Sequence, residues 1–251
     1  ITLVPMPMMT PRDMALAALT SVIWGLAFVA IKLGLDSFSA PQLTVLRFLI
    51  ACLPVFFVAR PNLSYARIVL IGLTLFTGQF LLLFLAFTEG LPAALASVSQ
   101  QMQVFFTVLL AAAFLRDIPT VRQGIGMTVA FAGLALIALT IGSDLPLLGL
   151  GLGLAAALSW AVGNVLVKRH ADVAAFPLVI WCSLVPPVPA LLVAAAFDRG
   201  PQLPTALLNA SWLSIGAALY LGIGATVIPY AVWGRLLQRY PAGAVAPFAL
   251  I

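Results

Sequence analysis

Long apolar runs, interrupted at near-regular intervals, are the feature that most constrains this chain. The short stretches between the runs carry most of the charges and many of the prolines and glycines. Each run holds roughly 20 residues, which is the length of α-helix that crosses the bilayer hydrocarbon of about 30 Å. Only helices and closed barrels can cross it, because no water is there to bond the backbone, and a barrel would show alternating segments of about ten residues. The continuous runs therefore predict an all-α polytopic membrane protein.

The runs divide the chain into eight complete spans and one incomplete span. The complete spans are expected at residues 14–35, 41–59, 66–88, 92–115, 121–141, 147–167, 175–197 and 212–237. A ninth span begins at Ala242 and holds only about ten residues up to Ile251, too few to cross a bilayer. Nothing before Met14 combines a basic segment, an apolar core and a cleavage site, so the first span is expected to stay in the membrane.

The composition argues against several other classes of protein. Only 8% of the residues are charged, whereas a soluble domain carries about 25%, so the chain cannot build a water-facing surface. Its net charge of +5 does not indicate nucleic-acid binding, because the basic residues are scattered through short loops. Cys52 and Cys182 lie in apolar runs without metal-ligand spacing. We expect no cofactor, metal or nucleic acid; the expected partners are a small-molecule substrate and the lipid bilayer.

The basic residues also predict the orientation. With the N-terminus in the cytoplasm, two basic residues in the loops and span ends, Lys32 and Arg199, fall on the outer side. Nine fall on the inner side: Arg12, Arg60, Arg67, Arg116, Arg122, Lys168, Arg169, Arg235 and Arg239. Cytoplasmic loops of membrane proteins are enriched in Lys and Arg. We therefore predict a multi-pass protein of a bacterial inner membrane, with a cytoplasmic N-terminus, and expect it to be a monomer.

Two segments of the chain repeat each other. Residues 24–32 and 160–168 both begin with Trp and end with Lys, and the same offset places Pro41 over Pro177. Five spans per repeat is an odd number, so the second copy crosses the membrane in the opposite direction to the first. Inverted repeats of this kind recur in secondary transporters, where the substrate site lies near the midplane between the halves.

The repeat predicts two domains and a helix that the chain does not contain. We expect a first five-helix repeat at residues 1–141 and a second, inverted repeat at residues 147–251. A complete second repeat needs the rest of helix nine and a tenth helix. The predicted fold is thus a ten-helix inverted repeat, five plus five, from which this chain lacks the last part of helix nine and helix ten.

Several short motifs resemble the EamA repeat of the drug/metabolite transporter superfamily. They are Trp24 and Gly25 with Lys32, Pro41 with Leu46, Arg47 and Phe48, the run Pro92, Ala93 and Ala94, and the pair Arg116 and Asp117. The resemblance covers essentially the whole chain, which looks most like the YddG-type amino-acid exporters. It implies ten helices, both termini inside, and a central cavity lined mainly by helices one, three, four, six, eight and nine. The pair Arg116 and Asp117 departs from the pattern, since many EamA repeats carry Gly-Glu there.

Polar and aromatic side chains within the spans are the candidates for a substrate pathway, because polar groups at membrane depth are costly and usually face a cavity or another helix. The candidate substrate-binding residues are Gln79, Gln100, Gln101, Trp160, Asn164, Tyr230 and Trp233. Trp160 and Asn164 are four residues apart, so they share one helix face. The competing interpretation is interhelical hydrogen bonding for the amides, at about 0.6 kcal/mol each, and apolar packing or an interfacial position for the aromatic residues.

Charged side chains contribute little to the predicted site. All seven acidic residues fall in loops or at span ends, so no buried carboxylate is expected as a proton relay. Lys32 and Lys168 lie at helix ends, where long cationic side chains reach toward the headgroups. Arg47 lies deeper and is expected to bind either a substrate carboxylate or the carbonyl ends of a neighbouring helix.

The sequence thus predicts a transporter and not an enzyme. The expected activity is export of small metabolites, above all neutral or aromatic amino acids, by alternating access through a central cavity. Amides and aromatic rings without charge suit a neutral zwitterion. One alternative is transport of another metabolite, such as a nucleotide sugar or a phosphorylated compound, which should require several cavity-facing cations. The other is an integral membrane enzyme, which would need a catalytic constellation on loops that are mostly short.

Overall fold

The computed structural model describes residues 9–141 and 146–250, and these residues form a bundle of helices without a strand. The main helices are α1 (Pro11–Leu35), α2 (Ala40–Phe56), α3 (Tyr65–Thr88), α4 (Ala93–Leu115), α5 (Val121–Ile141), α6 (Leu147–Arg169), α7 (Ala175–Phe197), α8 (Trp212–Arg239) and α9 (Ala242–Val245). A short helix, Leu203–Asn209, lies between α7 and α8, and a 3₁₀ segment, Ala246–Leu250, follows α9. The prediction of an all-α protein is confirmed.

Six of the helices in the described part of the chain are long and apolar enough to cross a bilayer. They are α1, α3, α4, α6, α7 and α8, each of 23 to 28 residues. At a rise of about 1.5 Å per residue, such helices exceed the roughly 30 Å of bilayer hydrocarbon. α2 is apolar but shorter. All the predicted complete spans end within three residues of the observed helix ends, and the chain is a multi-pass membrane protein.

Several helices begin at residues whose side chains cap them. The Thr10 hydroxyl accepts a hydrogen bond from the Asp13 amide (3.2 Å) at the start of α1. Ser39 and Gln42 form a reciprocal capping box at the start of α2. These caps satisfy amides that the helix itself cannot pair. They matter most near hydrocarbon, where water cannot replace a missing partner.

The end of α4 has an unusual backbone conformation. Arg116, the residue after the helix, has a φ of 56°, which is left-handed, and its amide donates to the Ala111 carbonyl. A left-handed residue at a helix C-terminus is usually glycine, because glycine adopts this conformation without steric cost. This geometry gives a physical reason for the glycine of the EamA pattern at the position where this chain has Arg116.

Two helices contain a π-helical segment that the sequence analysis did not predict. The segment covers Leu73–Gly78 in α3 and Tyr220–Val227 in α8. Thr77 and Thr226 lie near the ends of these segments, and each hydroxyl donates to the carbonyl five residues earlier, at 3.3 Å and 2.8 Å. π-Helical segments are rare and occur frequently at functional sites, since the wider turn leaves backbone carbonyls for other partners.

α7 is interrupted near its middle, although the prediction treated it as one span. Its α-helical hydrogen bonding stops after Cys182 and resumes at Pro187, next to Pro186. Proline supplies no N–H and clashes with the preceding turn, so the two adjacent prolines account for the break. α2 ends in a similar way, in a 3₁₀ turn that begins at Leu53, next to Pro54.

α6 is the central helix of its side of the bundle, packed against α3 and α4, while α1 packs against α8. A glycine on α6 allows a close approach, since a Cβ on Gly163 would lie 2.6 Å from the Leu75 Cα. One turn earlier, the Ser159 hydroxyl donates to the Thr74 carbonyl of α3 (2.8 Å). Small residues and interhelical hydrogen bonds hold helices together in a bilayer, where the lipid is as apolar as the helices. α3 and α6 therefore meet backbone to backbone.

Candidate functional site

Four aromatic side chains from three helices meet in the interior of the bundle, and we call them the aromatic cluster. They are Trp24 of α1, Trp160 of α6, and Tyr230 and Trp233 of α8. The Trp24 ring centroid lies 5.2 Å from that of Tyr230 and 5.2 Å from that of Trp233. The centroids of Trp160 and Trp233 are 5.8 Å apart. The rings are tilted or edge-to-face, as aromatic quadrupoles favour, and they join α1, α6 and α8 at one place.

Polar groups at the edges of these rings bind two amide side chains. Trp233 Nε1 donates to Asn164 Oδ1 (3.3 Å), and the Tyr230 hydroxyl donates to Gln79 Oε1 (3.3 Å). Trp160 is only 1% exposed, and its Nε1, near the Tyr230 hydroxyl, makes no hydrogen bond of ordinary geometry to a described residue. A buried donor without a partner is costly. Trp160 Nε1 is therefore a position at which a bound molecule could be held.

The structure brings five of the seven candidate residues together: Gln79, Trp160, Asn164, Tyr230 and Trp233. The other two lie on α4. Gln100 Nε2 donates to the Gly153 carbonyl of α6 (3.2 Å), which is the interhelical role that the sequence left open. Gln101 is half-buried, and among the described residues it makes no hydrogen bond to the aromatic cluster.

Trp24 belongs to the cluster, but the sequence analysis did not select it as a candidate. Its Nε1 donates to the Ala225 carbonyl in the π-helical segment of α8 (3.2 Å). A signal for it was present, because Trp24 occupies the same place in its repeat motif as Trp160. Thr107 of α4 was also missed; its hydroxyl lies 3.5 Å from Asn164 Nδ2.

A small cavity lies beside the aromatic cluster, on the side of α7. It is lined by Asn164, Tyr230 and Trp233 and by apolar side chains that include Leu75 and Cys182. Its volume is about 10 Å³, which is about the least that holds one water molecule. A molecule larger than water does not fit this cavity unless the helices that line it move apart.

Arg47 of α2 is a buried cation behind the aromatic cluster. Its Nε donates to the Thr226 hydroxyl (2.6 Å) and its Nη2 donates to the Ala225 carbonyl (3.1 Å). The guanidinium carbon lies 4.5 Å from the centroid of the Phe80 ring, within cation–π distance. Of the two expectations for Arg47, the structure shows a hydrogen bond to a carbonyl of a neighbouring helix, although this carbonyl lies within α8 and not at its end.

A second polar group lies at the end of the bundle where α1 begins and where α4, α6 and α8 end. Lys168 Nζ is 2.9 Å from Asp117 Oδ2 and donates to the Tyr240 carbonyl (2.5 Å). The Tyr240 hydroxyl donates to Asp13 Oδ2 (2.6 Å), and Arg239 Nη1 is 3.3 Å from the same oxygen. We call these five residues the terminal ion cluster. It links the ends of four helices.

The terminal ion cluster corrects two predictions. The acidic residues were expected to lie outside the buried interior, whereas Asp13 is 6% and Asp117 8% exposed. Lys168 was expected to reach the headgroups, whereas its side chain is 16% exposed and paired with Asp117. The reason is that several helix ends converge here, so each carboxylate meets donors from other helices. Asp117 Oδ2, for example, also accepts from the Ala242 amide at the start of α9 (2.7 Å).

The aromatic cluster and its two neighbouring amides are suited to binding. They offer ring faces, two amide groups and one N–H that makes no ordinary hydrogen bond among the described residues, none of which is a strong acid, base or nucleophile. Within residues 9–141 and 146–250, no group of three or more His, Cys, Asp or Glu side chains could hold a metal ion.

Apolar helices of membrane length around a buried aromatic and amide site are typical of multi-pass membrane transporters. Residues 13–139 match the EamA-like transporter family, and the chain belongs to that family. The resemblance that the sequence motifs indicated is confirmed. Because the family consists of transporters, the protein is a transporter and not an enzyme.

Named relatives support this assignment. The chain is 39% identical to the probable amino-acid metabolite efflux pump of Salmonella typhimurium and 38% identical to that of Escherichia coli, in each case over 97% of this chain and 84% of the relative. It is 29% identical to the probable terminal-alkyne amino-acid exporter of Streptantibioticus cattleyicolor, over 88% of this chain and 75% of the relative. A protein crystal structure shares the fold at a TM-score of 0.74 and 17% identity, over 95% of this chain and 87% of that chain.

Proposed function

We propose that this protein exports small metabolites, above all neutral or aromatic amino acids, across a bacterial inner membrane by alternating access. The observation that carries the proposal is the aromatic cluster with its two amides, Gln79 and Asn164, buried where α1, α3, α6 and α8 meet. The names of the relatives, two amino-acid metabolite efflux pumps and an amino-acid exporter, support the substrate class.

The chemistry of the site suits a zwitterion with an apolar side chain. Trp160 Nε1 can donate to a carboxylate, while the amide oxygens of Gln79 and Asn164 can accept from an ammonium group. The rings of the aromatic cluster offer faces on which an apolar or aromatic side chain can pack. No member of the cluster carries a charge, which suits a nucleotide sugar or a phosphorylated compound less well.

Gln100 and Gln101 are proposed to complete the site from α4 when the helices separate. Gln100 donates to the Gly153 carbonyl of α6 in this structure. A movement of α4 against α6 would break this hydrogen bond and release the Gln100 amide for a substrate. In this proposal the hydrogen bond forms only while α4 and α6 are packed together.

We further propose a ten-helix inverted repeat, with one set of five helices in residues 1–141 and an inverted set that begins at residue 147. Paired features of the two halves support it. α1 packs against α8 much as α6 packs against α3, and α3 and α8 both contain a π-helical segment. Thr77 lies in the first of these segments and Thr226 in the second. The sequence offset that aligns these two threonines also aligns Pro92 with Pro241.

We propose a cytoplasmic N-terminus, which the distribution of basic residues supports. In this orientation the terminal ion cluster lies on the cytoplasmic side, where it links the ends of α1, α4, α6 and α8. We propose that the site opens first toward the periplasm, and that the transporter acts as a monomer.

The test is uptake of labelled amino acids into liposomes that contain the full-length protein, with and without a pH gradient. We expect flux above that of empty liposomes, independent of the gradient, because the aromatic cluster holds no carboxylate. Gradient-dependent flux would contradict this expectation and would make the buried Asp13 and Asp117 the first residues to substitute. The absence of flux for every amino acid would overturn the proposed substrate class.

Variants test the site itself. Trp160→Ala and Gln79→Ala should each lower flux by about tenfold or more, since each removes a polar contact worth roughly 1–3 kcal/mol in a buried site. Trp212→Ala is the matched control, because Trp212 is 88% exposed at the start of α8 and lies outside the cluster. Wild-type flux in both site variants would remove these residues from the substrate pathway.

A further inference from the structure

Arg47 carries a positive charge that no acidic side chain among the described residues neutralises. It is 5% exposed, and its hydrogen-bond acceptors, the Thr226 hydroxyl and the Ala225 carbonyl, are both neutral. The ion pairs found among the described residues, Lys168 with Asp117 and Arg239 with Asp13, lie at the end of the bundle. A buried cation in a membrane helix is costly, and such residues mark functional positions more often than packing positions.

The charge lies directly behind the aromatic cluster. The Ala225 carbonyl that accepts from Arg47 Nη2 (3.1 Å) also accepts from Trp24 Nε1 (3.2 Å). The guanidinium and a ring of the aromatic cluster therefore share one oxygen atom. Thr226, the second acceptor, is four residues before Tyr230 and so lies on the same face of α8. Arg47 is almost fully buried, so solvent ions screen its charge only weakly.

We propose that Arg47 determines the charge specificity of the site: its positive potential favours substrates that carry a carboxylate and disfavours substrates with a net positive charge. This inference rests on the proposed function and adds to it a reason why zwitterions are accepted and organic cations rejected. Arg47 acts through space and through the Ala225 carbonyl and does not contact the substrate. The carboxylate that Trp160 Nε1 is proposed to bind is the charge that this potential stabilises.

The size of the effect follows from Coulomb's law. Removing a unit charge that acts over about 10 Å at an effective dielectric constant of about 20 changes relative affinity by roughly tenfold. A purely structural role for Arg47 predicts a different result. It would weaken binding of acids and amides alike, because the same helix contacts serve both.

The experiment compares phenylalanine with phenylalaninamide, which differ in the carboxylate and little in shape. Each is used to inhibit counterflow of labelled phenylalanine by the full-length protein in liposomes, at a pH below the amine pKa of the amide. In the wild type we expect the inhibitory concentration of phenylalanine to be lower than that of phenylalaninamide by at least about tenfold. Equal inhibition overturns the proposal without any variant. If labelled phenylalanine and the other amino acids do not move at all, it is the proposed function that fails.

Three variants separate charge from structure. The quantity compared is the inhibitory concentration of phenylalaninamide divided by that of phenylalanine. Arg47→Met should lower this ratio by about tenfold, and Arg47→Lys should retain most of it because lysine keeps the charge. Thr226→Val removes one acceptor but not the charge, so it should also retain the ratio even if total flux falls. An unchanged ratio in Arg47→Met, or an equal loss in Thr226→Val, would refute the assignment. If Arg47→Met does not insert, Arg47→Gln is a second variant without the charge, and the same loss of the ratio is expected for it.

Discussion

The single N–H of each tryptophan indole distinguishes the members of the aromatic cluster. Trp24 donates to the Ala225 carbonyl and Trp233 donates to Asn164, so both rings are held by a second helix. Trp160 is buried as deeply as Trp233, but its Nε1 makes no ordinary hydrogen bond within the described residues. Trp24 and Trp160 occupy equivalent places in the repeat motif and yet differ in this respect. The difference suits a structural role for Trp24 and a binding role for Trp160.

Substitutions at Trp24 test its structural role. Trp24→Phe keeps an aromatic ring but leaves the Ala225 carbonyl to Arg47 alone, so flux should fall only a few-fold. Trp24→Ala leaves a cavity among the rings and should lower stability by roughly 3–5 kcal/mol. Flux in liposomes and thermal unfolding in detergent measure the two effects. If Trp24→Phe is as inactive and as unstable as Trp24→Ala, the ring contacts do not explain the role of Trp24.

At the scale of the elements, contact between α3 and α6 depends on how closely two backbones approach. Gly163 faces the backbone of Leu75, and Ser159 donates to the Thr74 carbonyl in the π-helical segment of α3. The π-helical turn and the small residues of α6 thus lie against each other. Because the atom nearest to Gly163 belongs to the backbone, it cannot move aside by a rotamer change.

Two glycines of α6 provide a matched test of this contact. A Cβ at Gly163 would lie 2.6 Å from the Leu75 Cα, so Gly163→Ala should cost roughly 1–3 kcal/mol through overpacking and lower the Tm by several degrees. A Cβ at Gly151 would meet no atom of a neighbouring helix within 4 Å, so Gly151→Ala should leave the Tm unchanged or raise it slightly. Thermal unfolding in detergent distinguishes the two. An equal effect of both substitutions would show that the approach of α6 to α3 does not limit stability.

At the scale of the whole molecule, the terminal ion cluster joins four helix ends at one end of the bundle. Cys182 is fully buried and lines the small cavity beside the aromatic cluster, and this cavity reaches Val167, the neighbour of Lys168 in the chain. Opening of this end would expose Cys182 to solvent. The chain therefore contains its own reporter of the closed arrangement.

Labelling of Cys182 tests whether the cluster holds this end closed. In a Cys52→Ala background, Lys168→Met should raise the rate of maleimide labelling by at least about tenfold. Removal of one partner from a buried ion pair costs roughly 3–5 kcal/mol and destabilises the closed arrangement. Lys32→Met is the control, since Lys32 is the repeat counterpart of Lys168 and is exposed. Unchanged labelling in Lys168→Met, or an equal increase in Lys32→Met, would contradict a closing role for the cluster.

The sequence by itself determined where the main helices lie, because run length and hydrophobicity set where a membrane helix can form; six of the eight predicted complete spans are described helices long and apolar enough to cross a bilayer. It also determined the family, through motifs spread along the chain. Two spacings, Trp160 with Asn164 and Tyr230 with Trp233, put four of the seven candidate residues in two pairs, each on one face of its helix.

Only the tertiary structure decided which helix faces meet. In the packed bundle, Trp24 and Arg47 both donate to the Ala225 carbonyl. Gln100 donates to the Gly153 carbonyl, and Lys168 forms an ion pair with Asp117. The physical reason is that helices in lipid are apolar on every side, so hydrophobic periodicity does not separate a face that meets protein from one that meets lipid. Close backbone approaches and single hydrogen bonds between distant segments make that choice, and they exist only once the helices have packed.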